Sequence, residues 1–429
     1  MLGHALPGFR EFYPEDAALR NHIVDVWRDV AARYAFVEYD GPPLEPLELY
    51  TAKSGAEIVG QLYAFTDKGG REVALRPEMT PTLARMVAAR AAGLKKPIRW
   101  FSVPQLFRYE RQQRGRLREH FQLNMDLIGE PASLADAEII AAALDVMRAF
   151  GLGPDDVRAR VSDRRVVAAL LSRAGVSDDA LPAAYAAIDK IEREDPAALV
   201  AQLTKGGMKA ETAHRVFAVG GLRGMTAVRD ALRDVPDGAA VGEPLCECVD
   251  ALEAMGLGPF VEVDLSIVRG LAYYTGVVFE LFDTGRSLRA ICGGGRYDDL
   301  LGALGGTDLP AVGFGMGDVV LGQLLRERGV APPADAQVEA FLIAVTAEDV
   351  PHVLRLAHAL RDQRRRVEFA LKAQAVGKQL KLAAARGARR AIIIGPDERA
   401  SGEAVMRDLE GGVETRVPMQ ALTDDTTWT

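Results

Sequence analysis

At 429 residues, 48% hydrophobic and 26% charged, the chain can bury more than one sizeable core, so two or three domains are expected. No run approaches the roughly 18 apolar residues of a spanning helix, and the opening MLGHALPGFREFYPED lacks the apolar stretch of a secretory signal, so a cytoplasmic protein with no membrane segment is expected. Three cysteines, two of them Cys246 and Cys248 in LCEC, give neither a disulfide framework nor Cys-x-x-Cys zinc spacing, and a net charge of −8 excludes a globally basic coat, so nucleic-acid contact must come from a local field.

In chain order, a helix is expected over Asp16 to Tyr34, entered through Pro14-Glu15-Asp16 with acids in its first turn. Strand-like segments follow at Glu72 to Leu75, Arg99 to Phe107 and Asn124 to Ile128, and the mixture reads as α+β with an antiparallel sheet. From about Val166 to Ala254 the composition shifts to Ala, Leu, Asp and Arg at helical spacing, which reads as a helical insertion. Strand character resumes at Phe260 to Ile267 and Val277 to Phe282, ahead of the glycine-dense CGGGRYDDLLGALGG and GFGMG. The first core therefore continues after the insertion, and its sheet is discontinuous in sequence.

Arg326 to Gln337, with two prolines among charged and small residues, is the linker candidate, separating a domain over 1–325 from one over 338–429. In the latter, strands at Ala340 to Val345, Arg366 to Leu371 and Arg390 to Ile394 alternate with helices at Val350 to Gln363 and Ala375 to Arg386. That order implies a small α/β domain with a largely parallel sheet. No fixed-period repeat is present.

Four clusters carry chemistry. FRYERQQRGRLREHFQLNMD places Arg108, Arg111, Arg114, Arg116 and Arg118 within eleven residues between apolar flanks, and arginine's fixed fork of donors suits phosphate. Taken alone, such a run is more often a solvated charged hairpin. RPEMTP sets Glu78 and Thr80 two residues apart, on one face if the segment is extended, where a carboxylate beside a hydroxyl can hold an ammonium group. In isolation it reads equally well as a turn and helix cap. VRGLAYYTGVVFE brings Arg269 ahead of Tyr273 and Tyr274, residues that at strand spacing are usually half-buried core. CGGGRYDDL has glycines that let backbone approach a ligand before Arg296 and Tyr297. Neither it nor GFGMGD matches a P-loop or the GxGxxG dinucleotide fingerprint.

Together, in this order, these segments resemble the histidyl-tRNA synthetases of class II. The arginine loop is similar to motif 2, GPPLE around Pro42 to motif 1, and RGLAYYTG and GGGRYD to the two histidine signatures. The likeness continues through KSGAEIVGQLYAFTDKGGREVALRPEMTP and into an anticodon-binding-like C-terminal domain. It spans nearly the whole chain apart from the helical insertion.

The resemblance implies a class II antiparallel-sheet catalytic domain and a homodimer with an isologous interface. It implies that Glu78, Thr80 and Gln122 receive the α-ammonium of L-histidine, and that Asp126 and Tyr274, with Tyr273 and Tyr297 nearby, read an imidazole that both donates and accepts. Arg108 and Arg269 would meet the charge that builds on the α-phosphate of ATP during attack by the carboxylate, Arg114 and Arg116 would also serve ATP, and Mg²⁺ would neutralise the outer phosphates. No side-chain metal motif and no zinc are implied. Arg111, Gln112, Gln113, Arg116 and Arg118 would meet the acceptor end of tRNA(His). Arg361, Arg364, Arg365, Arg366, Lys372, Lys378, Lys381, Arg386, Arg389 and Arg390 give the anticodon-binding-like domain a local basic excess, although lysines at helical spacing are usually only a solvated face.

Three positions depart from the family pattern. Val320 stands where motif 3 ordinarily has an arginine that stacks on adenine, Ala272 where RGLDYYT has aspartate, and Gln112 where a proline is common. Either another cation holds the adenine, with Arg114 and Arg116 the candidates, or ATP binding is weakened and catalysis lost. The rival reading is the silent paralogue that serves as histidine-sensing regulatory subunit of ATP phosphoribosyltransferase. Those paralogues lack the anticodon-binding domain.

Overall fold

A computed structural model of the chain describes residues 5–51, 60–109, 115, 117–268, 273–285, 287–305, 307–332 and 338–424. The chain divides into two compact units, Met1–Tyr13 with Leu19–Pro332, and Pro14–Ala18 with Pro333–Thr429.

Twelve strands belong to the first unit among the described residues: β1 (Val37–Glu38), β2 (Leu44–Pro46), β3 (Tyr63–Thr66), β4 (Glu72–Leu75), β5 (Ile98–Ser102), β6 (Gln105–Phe107), β7 (Glu119–Ile128), β8 (Val157–Asp163), β9 (Val261–Val263), β10 (Val277–Asp283), β11 (Cys292–Arg296) and β12 (Ala311–Gly317). A nine-stranded sheet runs in the order β1-β5-β7-β12-β11-β10-β8-β9, with β6 also on β7. Its pairings are antiparallel except β1 with β5 and β8 with β9. A small separate sheet has the order β2-β4-β3.

Strand β7 fixes the register of this sheet. Its odd positions Leu123, Met125 and Leu127 are buried in the main apolar core, and its even positions His120, Gln122, Asn124 and Asp126 line a cavity. Fully burying each apolar side chain is worth about 1.5–3 kcal/mol. A slip of one residue would exchange the two faces, forfeiting that burial three times and placing amides and a carboxylate in the core.

The core face is covered by the helix Ser133–Ala149, twelve of whose residues are buried. After β8, Asp163 accepts from the Arg165 backbone N–H at 2.8 Å and caps the first of six α-helices that run from Arg164–Arg173 to Gly238–Ala254. The chain then re-enters the sheet at β9, and the discontinuity expected from sequence is observed.

The expected strands are redrawn in three places. Arg99 to Phe107 divides into β5 and β6 around Val103-Pro104, because proline has no N–H for a ladder. Phe260 to Ile267 yields only β9, since Asp264 accepts from the N–H of Ser266 at 2.9 Å and its hydroxyl at 2.7 Å, turning the chain. The glycine-dense CGGGR and AVGFGMG are β11 and β12, although glycine disfavours strands.

The second unit has β13 (Ala340–Ala344), β14 (Val367–Phe369), β15 (Arg390–Ile394), β16 (Glu403–Asp408) and β17 (Glu414–Pro418), in the order β14-β13-β15-β16-β17. The first three are parallel, as the strand and helix alternation implies. The last two are antiparallel, so the sheet is mixed rather than largely parallel. Their mostly unburied, charge-rich sequences EAVMRD and ETRVP carry no alternation to announce them.

Candidate active site

The even-numbered residues of β7 form one wall of an 840 Å³ cavity in the first unit. Glu78, Thr80, Arg108, Gln122, Asp126, Tyr273, Tyr274 and Tyr297, all singled out from sequence, line it together. Glu78 and Thr80 do so without an extended backbone between them. Thr80 opens the helix Thr80–Ala88, and Glu78 is buried just before it. Arg108 Nε donates to the Pro77 carbonyl at 2.9 Å, which holds the guanidinium next to that turn.

At one end of the cavity the Tyr297 hydroxyl donates to Asp126 Oδ1, and both residues are buried. Burial raises the Asp126 carboxyl to about 7, and the Tyr297 hydrogen bond restrains that rise. Burial beside Asp126 likewise pushes the Tyr297 phenol well above its ordinary range. Tyr273 packs edge-on against Tyr297 with centroids 5.9 Å apart and lies 5.1 Å from the ring of Tyr274. The result is a carboxylate and phenols in an aromatic enclosure, a donor and acceptor set suited to a small ring with two nitrogens.

The floor is kept open by β12. Gly313 pairs with Asp126 and Gly315 with Asn124. A Cβ at Gly313 would fall 2.1 Å from Asp126 Oδ1, and one at Gly315 2.9 Å from Gln122 Cδ. These glycines exist for the side chains of the neighbouring strand. The triplet in β11 requires a correction to the expected ligand-approach role. A Cβ at Gly294 would lie 2.3 Å from the Gly313 carbonyl, and one at Gly295 2.7 Å from that of Val277, so these two permit close packing within the sheet, whereas Gly293 lines the cavity.

Beneath the site, Arg296 is 2% exposed and is held by Asp136 through Nε at 3.1 Å and Nη2 at 2.7 Å. The near end of β7 is anchored by Arg10, which bridges Glu119 at 2.6 Å and Asp318 at 2.8 Å. Asp318 also accepts from the Phe121 N–H at 3.0 Å.

Toward the His120 end of β7 the cavity is also lined by Val319 and Val320 on the helix Asp318–Glu327 and by Gly115, Leu288 and Arg289. Burial, with the charges of Arg108 and Arg10, depresses the His120 imidazole to about 3, leaving a neutral ring at physiological pH. His120, Asn124 and Arg289 are lining residues that the sequence reading did not select. The first two were recoverable from the period-two phase of Gln122 and Asp126, whereas Arg289 had no such signal.

Arg118, expected at the acceptor end of the tRNA, is not among the residues that line the cavity. Its guanidinium lies 4.1 Å from the centroid of the Tyr109 ring, and it donates to the Pro7 carbonyl at 3.3 Å. The expectations for Arg111, Gln112, Gln113, Arg114, Arg116, Arg269 and Ala272 fall outside the described residues. Among the described residues, no three His, Cys, Asp or Glu side chains group to hold a metal ion, and no helix is long and apolar enough to cross a membrane.

Residues 8–318 match the family model described as histidyl-tRNA synthetase, and residues 339–425 the one described as anticodon binding domain. The chain is 46% identical to a histidine–tRNA ligase of Opitutus terrae over 97% of this chain and 96% of that protein. It is 38% identical to the chloroplastic/mitochondrial histidine–tRNA ligase of Arabidopsis thaliana over 97% of this chain and 85% of that protein. The crystal structure of histidyl-tRNA synthetase from Nostoc sp. PCC 7120 superposes with a TM-score of 0.86 at 26% identity, covering 100% of this chain and 99% of that one.

Proposed function

The chain belongs to the histidyl-tRNA synthetase family, and from that premise we propose that its cavity joins L-histidine to ATP and passes the histidyl group to the 3′-hydroxyl of tRNA(His). The observation that carries this reading is the convergence of Glu78, Thr80, Arg108, Gln122, Asp126 and the three tyrosines on one cavity. The alternative reading, a histidine-sensing regulatory subunit of ATP phosphoribosyltransferase, is set aside. Residues 339–425 match an anticodon-binding domain, and the relatives that match nearly the whole chain are named ligases.

Strand β7 acts as a ruler for the two substrates. At about 3.4 Å per residue, Asp126 and His120 are roughly 20 Å apart. The imidazole of histidine occupies the Asp126 and Tyr297 end, with Tyr273 and Tyr274 over it, and the α-ammonium faces Glu78, Thr80 and Gln122. Its carboxylate then points toward Arg108. A carboxylate oxygen attacks the α-phosphorus, the bond from that phosphorus to the oxygen bridging to the β-phosphate breaks, and pyrophosphate leaves with the electron pair. The nucleophile is already ionised, so no side-chain base is needed. Arg108 and Arg269 oppose the charge that grows on the α-phosphate oxygens, and such preorganised cations are worth several kcal/mol of barrier. Arg114 and Arg116 serve the rest of the triphosphate. In the second step the terminal adenosine's 3′-hydroxyl attacks the acyl carbon and AMP departs.

Magnesium accompanies ATP in this family. Among the described residues no three acidic, imidazole or thiol groups cluster to hold a metal ion, and the phosphates and water would supply most of the ion's ligands. Arg111, Gln112, Gln113, Arg116 and Arg118 meet the acceptor end of the tRNA, the basic surface of the second unit meets the anticodon arm, and the functional particle is a cytoplasmic homodimer.

The decisive test is isotope exchange between pyrophosphate and ATP by the purified protein. Exchange that requires histidine supports the assignment, and folded protein that shows none, or that exchanges without histidine, refutes it.

A further inference from the structure

Val320 occupies the corner of the cavity where the family pattern sets an adenine-stacking arginine, and the side chain of Arg289 reaches that corner from the connection between β10 and β11. We infer that Arg289 holds the adenine of ATP, with its planar cation on one face of the base and the ring of His120 contributing to the same subsite. This rests on the reading of the cavity as an ATP site and assigns a residue within it.

Position is the first support. Both side chains flank one point of the motif 2 loop, since a Cβ at Gly115 would lie 3.4 Å from Val320 Cγ2 and 3.7 Å from Arg289 Cδ. His120 is at the same end of the cavity, its Cδ2 3.8 Å from where a Cβ on Gly317 would stand, three residues before Val320.

The chemistry of the corner is the second support. Adenine is flat, uncharged and polarisable, and it is best held by a planar cation or an aromatic ring on its faces with apolar groups at its edges. The subsite offers these in Arg289, the imidazole of His120, and Leu288, Val319 and Val320. Burial that keeps His120 unprotonated also spares the subsite a second positive charge beside Arg289.

The backbone that carries Arg289 is the third. Arg289 lies between residues whose backbone is hydrogen-bonded to β10. Asp283 accepts from the N–H groups of Ser287 and Leu288, each at 3.0 Å, and the Ile291 N–H donates to the Leu281 carbonyl at 2.8 Å, so the hairpin from β10 to β11 delivers the residue from a rigid base.

Arg289→Ala, Arg289→Lys and the double variant Arg289→Ala/Val320→Arg test the assignment by histidine-dependent exchange and by direct titration with ATP. Loss of a stacked cation predicts an ATP KM and ATP Kd raised roughly 5- to 30-fold in Arg289→Ala, with the histidine KM moved less than about twofold, within the scatter of surface changes. Arg289→Lys recovers only part of the loss, because an ammonium cannot stack as a plane. The double variant regains ATP affinity by restoring a guanidinium from the other wall. An unchanged ATP Kd in Arg289→Ala, or ATP and histidine constants rising together, overturns the assignment. Titration reads this without turnover, so a wild-type protein that binds ATP but does not exchange would remove the proposed reaction and still leave Arg289 tested.

Discussion

The two ends of the cavity are built on opposite principles. At the Asp126 end the buried carboxyl already accepts from the buried Tyr297 phenol, and the rings of Tyr273 and Tyr274 pack around that pair. At the Val320 end the walls are aliphatic, the backbone of Gly115 has a positive φ of 78°, and the cation, Arg289, is exposed. Under the proposed function the closed end is suited to rejecting near neighbours of histidine, because a rival lacking its nitrogens would leave buried groups unpaired. Under the inference for Arg289 the open end has only to retain the adenine of ATP, and its residues can change identity so long as a flat cation and apolar edges persist.

Perturbing the closed end is expected to cost most. Gly313→Ala forces a methyl to 2.1 Å from Asp126 Oδ1 and must move the carboxyl. We expect a fall of about 100-fold in kcat/KM for histidine, the scale of an ångström misplacement, with circular dichroism unchanged. A loss below threefold would show the closed end to be compliant.

Asp126→Asn comes next. Losing a hydrogen bond to a charged group should raise the histidine KM on the order of tenfold or somewhat more at pH 8. The sign of its pH dependence is fixed by the raised carboxyl at about 7. Below that value the group is neutral and accepts poorly, so the wild-type histidine KM should fall as pH rises from 6 to 8 and then level off. Asp126→Asn keeps only the titration of histidine's own imidazole near 6.5, and identical profiles for the two proteins would detach this carboxyl from recognition.

The smallest effect belongs to the open end. Val320→Ala removes apolar edge from a half-buried wall and should raise the ATP KM only two- to threefold, from roughly 0.5–0.8 kcal/mol of lost contact. A change beyond tenfold would make this wall as exacting as the other.

Much of the fold was legible because burial and periodicity agreed. The helix from Pro14, β4 and the strands of the parallel part of the second sheet announce themselves by pattern. What stayed hidden is instructive. β11 and β12 are strands made largely of glycine, selected by the side chains of β7 and by close strand packing, and no propensity reading of CGGGR or GFGMG can see a neighbour's needs. β16 and β17 are mostly exposed and lack an apolar phase. In the site, motif likeness found Glu78, Gln122, Asp126 and Tyr297 singly, but their convergence depends on the pairing of β7 with β12 across the insertion. Arg289 was invisible for the same reason, since nothing local to LRAIC places it near Val320.

That pairing also sets the order of events during synthesis. β7 leaves the ribosome long before β12, because every helix from Arg164–Arg173 to Gly238–Ala254 is translated between them. At 5–20 residues per second the interval is on the order of ten seconds or more. Throughout it, Leu123, Met125 and Leu127 sit on a strand that lacks its β12 neighbour, beside an Asp126 that has no tyrosine to bond. The helical insertion therefore separates in time the two strands whose pairing closes the floor of the site.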